Sequence, residues 1–582
     1  MSRKKMVMPV MLILLFTAMY ISLIFNRNIW TDEAYTIELV RENSFPGIIR
    51  GAAVDVHPPL YYLIVKCFVI LLGDAFWVYK AVSIVPMVLT MVLVCLYGML
   101  WRSEEETTVL AIVMLNAVPC VLEYAVQIRM YSWALFFVTA AFLHGYGAVE
   151  AAGAGAAGRW SAFGLHGAAL VFYGLAAAYT QYFACVAVIM VYFCVLCAFL
   201  VMDRTKVKVW FWWTAVSAAG YAPWLYVLFR QITAVNENYW ILPLTWRSLG
   251  GCVKFLMKPA FTNGTLSTVL AVVLFGAYVW VAGDVFFRKY AGVKIYHNRR
   301  VFEEKCLKKG SFTKNKRVKA EETSGVVEDD LTNLPSDQSE KMAADSIIDK
   351  STGSRTNSIC RDECAFMAAG IAVLAGLVLF GFAASMLLRP VFVYRYMIPA
   401  MGCFWLSFAV GLHEIWQAGI PEDGTEGRSG FFKMLPAAAL LFVVVVGLRD
   451  YRAFMGEEEY KIRLMKETET ALSSIAPGDV VIYNFDQVQA VTAYYLPEET
   501  DSYLWCGTPE TLIQDIIRPF GTVEETDALR KWCEDGRTVW FFGSFNSRDD
   551  IVEEWTAKGL QVEETGSCLL ERYWFNLYKI SV

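Results

Sequence analysis

The chain has 582 residues, 57% of them hydrophobic and 18% charged, with a formal net charge of −5. Soluble domains average roughly 45–50% apolar and about 25% charged, so an ordinary soluble protein is excluded, and the negative balance gives no reason to expect a nucleic-acid partner. Cysteines such as Cys67, Cys95 and Cys185 lie in apolar runs, where a reduced thiol packs as a small hydrophobe, and five histidines are too few for a His-rich metal site.

A basic start, Arg3 to Lys5, precedes an apolar run over 6–25 that reads as an uncleaved first span. Further spans are expected at 78–100, 107–122, 133–149, 163–179, 183–202, 209–229, 266–286, 365–388, 397–412 and 435–448, each an apolar run of the kind that crosses a hydrocarbon core of about 30 Å. Arg102, Arg159, Arg204, Lys206, Lys208, Arg288 and Lys289 fall on the side of the N-terminus if these eleven segments cross. The positive-inside rule then makes the N-terminus cytoplasmic and the C-terminus extracytoplasmic, in a multi-pass protein of the plasma membrane. Residues 59–72 are apolar but only fourteen long, with Lys66 in their middle. They are expected to form a helix at the outer membrane surface.

Four regions follow: a transmembrane module over 1–286 with an outer loop at 26–58, an insertion over 287–363, further transmembrane helices over 364–448, and a domain over 449–582. The insertion begins basic, turns acidic and lacks aromatics after Phe312, so it is expected to be disordered and cytoplasmic. In the last region GDVVIYN, DSYLWCG and RTVWFFGSF read as strands, and LLERYWFNLYKI as a strand pair. QAVTAYYL, PETLIQDIIRPF, ETDALRKWCEDG and DDIVEEWTAKG read as helices. The expected fold is an all-α polytopic membrane protein with a small extracytoplasmic α/β domain. That domain shows no phosphate loop, nucleophile elbow or metal signature, so chemistry is sought in the loops.

Asp32 and Glu33 stand directly after the first span, and Asp55 and His57 directly before the surface segment. Carboxylates at a membrane boundary are costly to keep ionised, and a positioned carboxylate can take a proton from an acceptor hydroxyl. The bland alternative is a solvated loop in which Asp32 caps the next helix. Arg129 and Tyr131 lie in the second outer loop, and Arg389, Arg395 and Tyr396 in a later one. Arginine is suited to phosphate because its planar fork donates two charge-assisted hydrogen bonds, although an interfacial arginine can also simply snorkel.

WTDEAYT after the first span, DVHPPLYYLI some twenty residues later and QIRMYSW between the third and fourth spans resemble bacterial GT-C glycosyltransferases. The resemblance is to the protein O-mannosyltransferase-like group, family 39, which includes the lipid A aminoarabinose transferases. It is strongest over 1–230 and weaker at RPVFVYRYMIP. It implies a GT-C fold of eleven or more spans with juxtamembrane helices in the first outer loop. It also implies a polyprenyl-phosphate sugar donor, an acceptor in the cell envelope (glycan, lipid or protein) and inversion at the anomeric carbon. Asp32 then corresponds to the base or acceptor-positioning carboxylate, with Glu33 as its neighbour; Arg129 and Arg395 would face the donor phosphate. Asp55, His57, Tyr131, Arg389 and Tyr396 complete the expected substrate-binding set. The first loop has no D-x-D element, so neither a metal nor another cofactor is expected.

Two other classes compete. A transporter or flippase of lipid-linked saccharides would place polar groups near the bilayer midplane, whereas here they gather at one surface. A non-catalytic sensor would leave WTDEAYT and DVHPPL without a reason.

Overall fold

The computed structural model describes residues 6–24, 29–98, 105–117, 121–153, 160–234, 243–257, 271–287, 363–418, 429–485, 488–507, 520–571 and 573–582, with a few isolated positions between them. The insertion expected at 287–363 and the helix expected at 509–520 lie almost wholly outside these residues.

In its described residues each expected span overlaps a helix, and the one expected at 107–122 falls across two. The first helix is α1 (Val7–Ile21); α2 (Thr31–Glu42), α3 (Phe45–Val54) and α4 (Leu60–Leu72) follow in the first loop. Next come α5 (Phe76–Leu96), α6 (Glu105–Ala117), α7 (Val121–Val126), α8 (Tyr131–Gly153), α9 (Trp160–Thr180), α10 (Tyr182–Met202), α11 (Val207–Ala234) and α12 (Trp246–Met257). An apolar helix α13 (Ala271–Phe287) precedes α14 (Glu363–Leu387), α15 (Ile398–Ala418) and α16 (Ser429–Leu472). Among the described residues, six helical segments, including α5, α8, α9, α10 and α14, are long and apolar enough to cross a membrane. This is a multi-pass membrane protein.

Side-chain chemistry sets the bundle's layout. The windows of α8 and α15 are buried almost all round, so these two form its centre, while α10 and α14 expose most of theirs to lipid. Gly402 on α15 sits where a Cβ would overlap the Thr139 hydroxyl of α8, the small-residue contact that lets membrane helices approach closely. Pro86 inside α5 cannot donate to the carbonyl of Val82; the Trp133 indole N–H of α8 takes that acceptor at 3.0 Å. One broken backbone bond thereby becomes a link between helices.

The first-loop helices have twelve, ten and thirteen residues. α4 has thirteen residues, or about 20 Å at 1.5 Å per residue. It buries Tyr61, Tyr62 and Val65, exposes Ile70, Leu71 and Leu72, and ends at Gly73, whose φ of 92° closes the helix. Lys66 donates to the Val40 carbonyl at 2.7 Å, tying α4 to α2.

α16 runs through residue 449, the expected domain start, and continues to Leu472 before the sheet begins at Val480. The sheet contains β1 (Val480–Tyr483), β2 (Asp501–Trp505), β3 (Gly521–Val523), β4 (Val539–Gly543), β5 (Gln561–Leu570) and β6 (Tyr573–Ser581), in the order β3-β2-β1-β4-β6-β5. β1 to β4 are mutually parallel, and β6 pairs antiparallel with both β4 and β5. Three helices complete the domain: α17 (Gln489–Tyr495), α18 (Thr526–Glu534) and α19 (Ser547–Ala557). Val480, Ile482, Val539 and Phe541 pack with Trp555 of α19. Val481, Tyr483, Trp540 and Phe542 on the other face join one hydrophobic core with the membrane helices. Two strands depart from the sequence reading. β3 is only three residues long, and β5 reaches back to Gln561 through polar residues with an irregularity at Glu564/Gly566. An edge strand open on one side carries little apolar alternation.

Candidate active site

α2 begins at Thr31 after Trp30, which makes no side-chain cap, so Asp32 and Glu33 occupy the first helical turn and complement its dipole. Successive side chains on a helix diverge, and these two acids part company. Glu33 points inward: its Oε1 accepts from Lys80 Nζ at 2.9 Å and from the Ile128 backbone N–H at 2.8 Å. Both members of that ion pair are almost fully buried, at 3% and 6% side-chain exposure. Asp32 remains 31% exposed, with its carboxylate 3.5 Å from Arg129 Nη2.

Arg129, buried between α7 and α8, organises the cluster. Its Nη1 donates to the Asp32 main-chain carbonyl at 3.2 Å, and its Nη2 lies 2.9 Å from His57 Nε2. A guanidinium can only donate, so Nε2 accepts and His57 is neutral. Burial, with the adjacent Arg129 charge, pushes the imidazole below its ordinary range. Arg129 itself is held in the charged form; burial opposes this, and Asp32 is the largest of the charges that outweigh it. Asp55 accepts from the Tyr62 hydroxyl at 3.2 Å, and Tyr62 packs edge-on against Tyr35. Gln231 at the end of α11 donates to the Ala52 carbonyl at 2.9 Å and also to that of Asp55.

Arg395, in the one-turn helix before α15, lies over two aromatic faces: 5.7 Å from the Trp30 ring centroid and 6.0 Å from that of Tyr131. Asp32 is within its electrostatic reach. Tyr131 meets Tyr124 edge-on, and Tyr396 stacks on Phe183 with centroids 4.7 Å apart. Arg389 instead donates to the Ile232 carbonyl at 2.9 Å, at the end of α11.

The fold thus gathers Asp32, His57, Arg129, Tyr131 and Arg395, with Asp55 and Tyr396 beside them. Among the described residues, Trp30 Nε1 and Tyr35 Oη are buried without a hydrogen-bond partner. Buried polar atoms are normally satisfied, so these groups stand ready for a bound molecule. Sequence reasoning missed Lys80; its signal was a lone cation in the first turns of an apolar helix. It also missed Trp30, which precedes the acids in WTDE. Among the described residues no group of three His, Cys, Asp or Glu side chains is placed to hold a metal ion. A small apolar cavity of about 30 Å³ lies at the far end of α5, lined by Val94, Tyr97, Thr107, Thr108, Phe366 and others, without a charged side chain. It is separate from this cluster.

No known family model matches the chain, and no curated protein sequence matches it. Solved structures do. ArnT from Cupriavidus metallidurans in the apo state is similar with a TM-score of 0.56 at 10% identity, over 98% of this chain and 97% of that one. The same protein bound to undecaprenyl phosphate gives 0.56 at 11%, over 100% of this chain and 98% of that one. At such identities the likeness is one of fold. The chain has the GT-C, ArnT-like fold that the motifs of its first loops implied.

Proposed function

We propose that the chain is a membrane glycosyltransferase moving a sugar from a polyprenyl-phosphate donor to an acceptor hydroxyl outside the cell, with inversion at the anomeric carbon. The observation that carries this reading is the pairing of one half-open carboxylate, Asp32, with two buried or half-buried guanidinium groups, Arg129 and Arg395, among aromatic faces. The solved relative that binds undecaprenyl phosphate supports the donor class. Negative charge grows on the phosphate as it departs, and fixed guanidinium groups stabilise that charge without reorganising. Asp32 takes the acceptor's proton on the opposite face of the sugar, while Trp30 and Tyr35 offer polar atoms to its hydroxyls. Glu33 and Lys80 act at one remove, by holding α2 against α5 and the Ile128 amide.

The test is transfer from radiolabelled polyprenyl-phosphate sugars, measured beside donor affinity in nanodiscs. Asp32→Asn should keep donor binding and lower turnover about 10²–10⁴-fold, the usual cost of losing a general base. Arg395→Ala should weaken binding as well, since a charged hydrogen bond is worth roughly 1.5–3 kcal/mol. Near-normal turnover in Asp32→Asn would remove Asp32 from the mechanism and make Asp55 the carboxylate to examine.

A further inference from the structure

In a parallel sheet ligands bind outside the carboxyl ends of the strands, where the strand order reverses. Here the order β3-β2-β1-β4 reverses between β1 and β4. The carboxyl end of β1 continues into Asn484 and Phe485, and that of β4 into Ser544, Phe545 and Asn546. Asn484 clamps the two ends: it accepts from the Ser544 N–H at 2.9 Å and donates to the Ser544 carbonyl at 2.7 Å and the Ser547 hydroxyl at 2.9 Å.

Three rings stand on this clamp. Phe485 meets Phe545 with centroids 5.4 Å apart and Tyr573 at 4.8 Å; Phe545 and Tyr573 are 5.7 Å apart. Phe545 is 56% exposed, and its φ of 59° is a conformation that bulky residues rarely adopt. The described non-glycine residues with positive φ, Cys506, Phe545 and Glu571, follow β2, β4 and β5 respectively and so share this one edge, since Glu571 caps the hairpin beside the end of β4. Strain of this kind persists at ligand sites because the surrounding structure holds it.

The same edge abuts the catalytic cluster. The Thr31 hydroxyl donates to the Glu571 carboxylate, and Thr31 is the neighbour of Asp32. Tyr573 is two residues from Glu571, at most about 7 Å along the chain. α17 packs on α2, and Arg41 of α2 lies over the Tyr494 ring at 5.6 Å. Charge then narrows the occupant. Asp549 and Asp550 fill the first turn of α19, and Arg548 is committed to Asp549 and Asn576 at 2.9 and 2.6 Å. By sequence this edge carries Asp549, Asp550 and Glu571 against Arg548 and Arg572, a negative balance that disfavours an anionic molecule. An exposed ring amid amides and hydroxyls suits a pyranose, whose C–H face rests on the negative π face.

We propose that this edge, at Phe485, Phe545 and Tyr573, is the acceptor-binding site and that the acceptor is a neutral glycan with one ring lying on Phe545. The proposal rests on the glycosyltransferase reading above, which supplies the reaction the glycan would undergo. The test is saturation-transfer NMR on the full chain in nanodiscs, with cellotetraose and N-acetylchitotetraose as neutral probes and tetragalacturonate as the anionic one. A neutral probe should receive saturation, Phe545→Ala should weaken it roughly three- to tenfold, Phe545→Trp should restore it, and tetragalacturonate should bind more weakly. Absence of binding by both neutral probes, wild-type binding in Phe545→Ala, or equal binding of the anionic probe would overturn the proposal. Undecaprenyl-phosphate binding is measured in parallel on wild type and Arg129→Ala. Loss of donor binding in the wild type counts against the glycosyltransferase reading and leaves the glycan result standing by itself.

Discussion

Adjacent acids with different surroundings should respond oppositely to the same chemical change. Glu33→Gln keeps an oxygen for the Ile128 N–H but removes the charge facing Lys80, 2.9 Å away and 6% exposed. Breaking a buried pair from one side leaves an uncompensated charge and typically costs about 3–5 kcal/mol. Asp32→Asn changes a side chain that is 31% exposed and 3.5 Å from its cation, and Arg129 keeps its bonds to His57 and to the Asp32 carbonyl. Its cost should be smaller than that of Glu33→Gln, because the pair is partly solvated and Asp55 still faces Arg129. Removing both charges, in Glu33→Gln with Lys80→Met, should recover at least half of the Glu33→Gln loss, because no isolated ion remains. Reversible unfolding in SDS–bicelle mixtures measures all four proteins, and transfer activity is normalised to the folded fraction. Glu33→Gln should then be active in proportion to its folded protein, whereas Asp32→Asn should be stable and slow. A Glu33→Gln protein within about 1 kcal/mol of wild type, beside an Asp32→Asn protein that unfolds readily, would refute the division between a positioning and a reacting acid.

Two further predictions concern protons and sidedness. His57 is held neutral, with its affinity for protons below the ordinary value near 6.5, so the unfolded chain binds more protons than the folded one as pH falls below that value. Stability should therefore decline from about pH 6.5 downward, and His57→Gln should lose that part of the slope; identical pH–stability curves for the two proteins would count against a neutral His57. In a cysteine-free background, Asn546→Cys should react with a membrane-impermeant thiol reagent on intact cells, as the orientation expected from the short-loop cations requires. Labelling only after lysis would put both the C-terminal domain and Asp32 in the cytoplasm.

The spans of this protein are written in local composition. Runs such as 183–202 and 365–388 offer no unsatisfied polarity except the backbone, and in hydrocarbon a backbone that must satisfy itself becomes a helix. The same local logic reads 59–72 as a surface helix, since Lys66 interrupts its short apolar run. It also picks out Asp32 and Arg129, because charge beside an apolar run is expensive enough to need a reason. Hydropathy is silent on partners. Glu33 and Lys80 are 47 residues apart and Arg129 and Asp32 are 97 apart; they meet only because α5 and α8 pack together at one end of the bundle. Which of the two neighbouring acids turns inward depends on the azimuth of α2 against α5, which no residue of WTDE specifies. Arg389 and Arg395 look alike in RPVFVYRYMIP, yet one donates to the end of α11 and the other covers Trp30 and Tyr131. The seating of the α/β domain is likewise a tertiary outcome. Nothing in residues 449–582 announces that Glu571 will reach Thr31, because that contact is set where the sheet's apolar face merges with the membrane core.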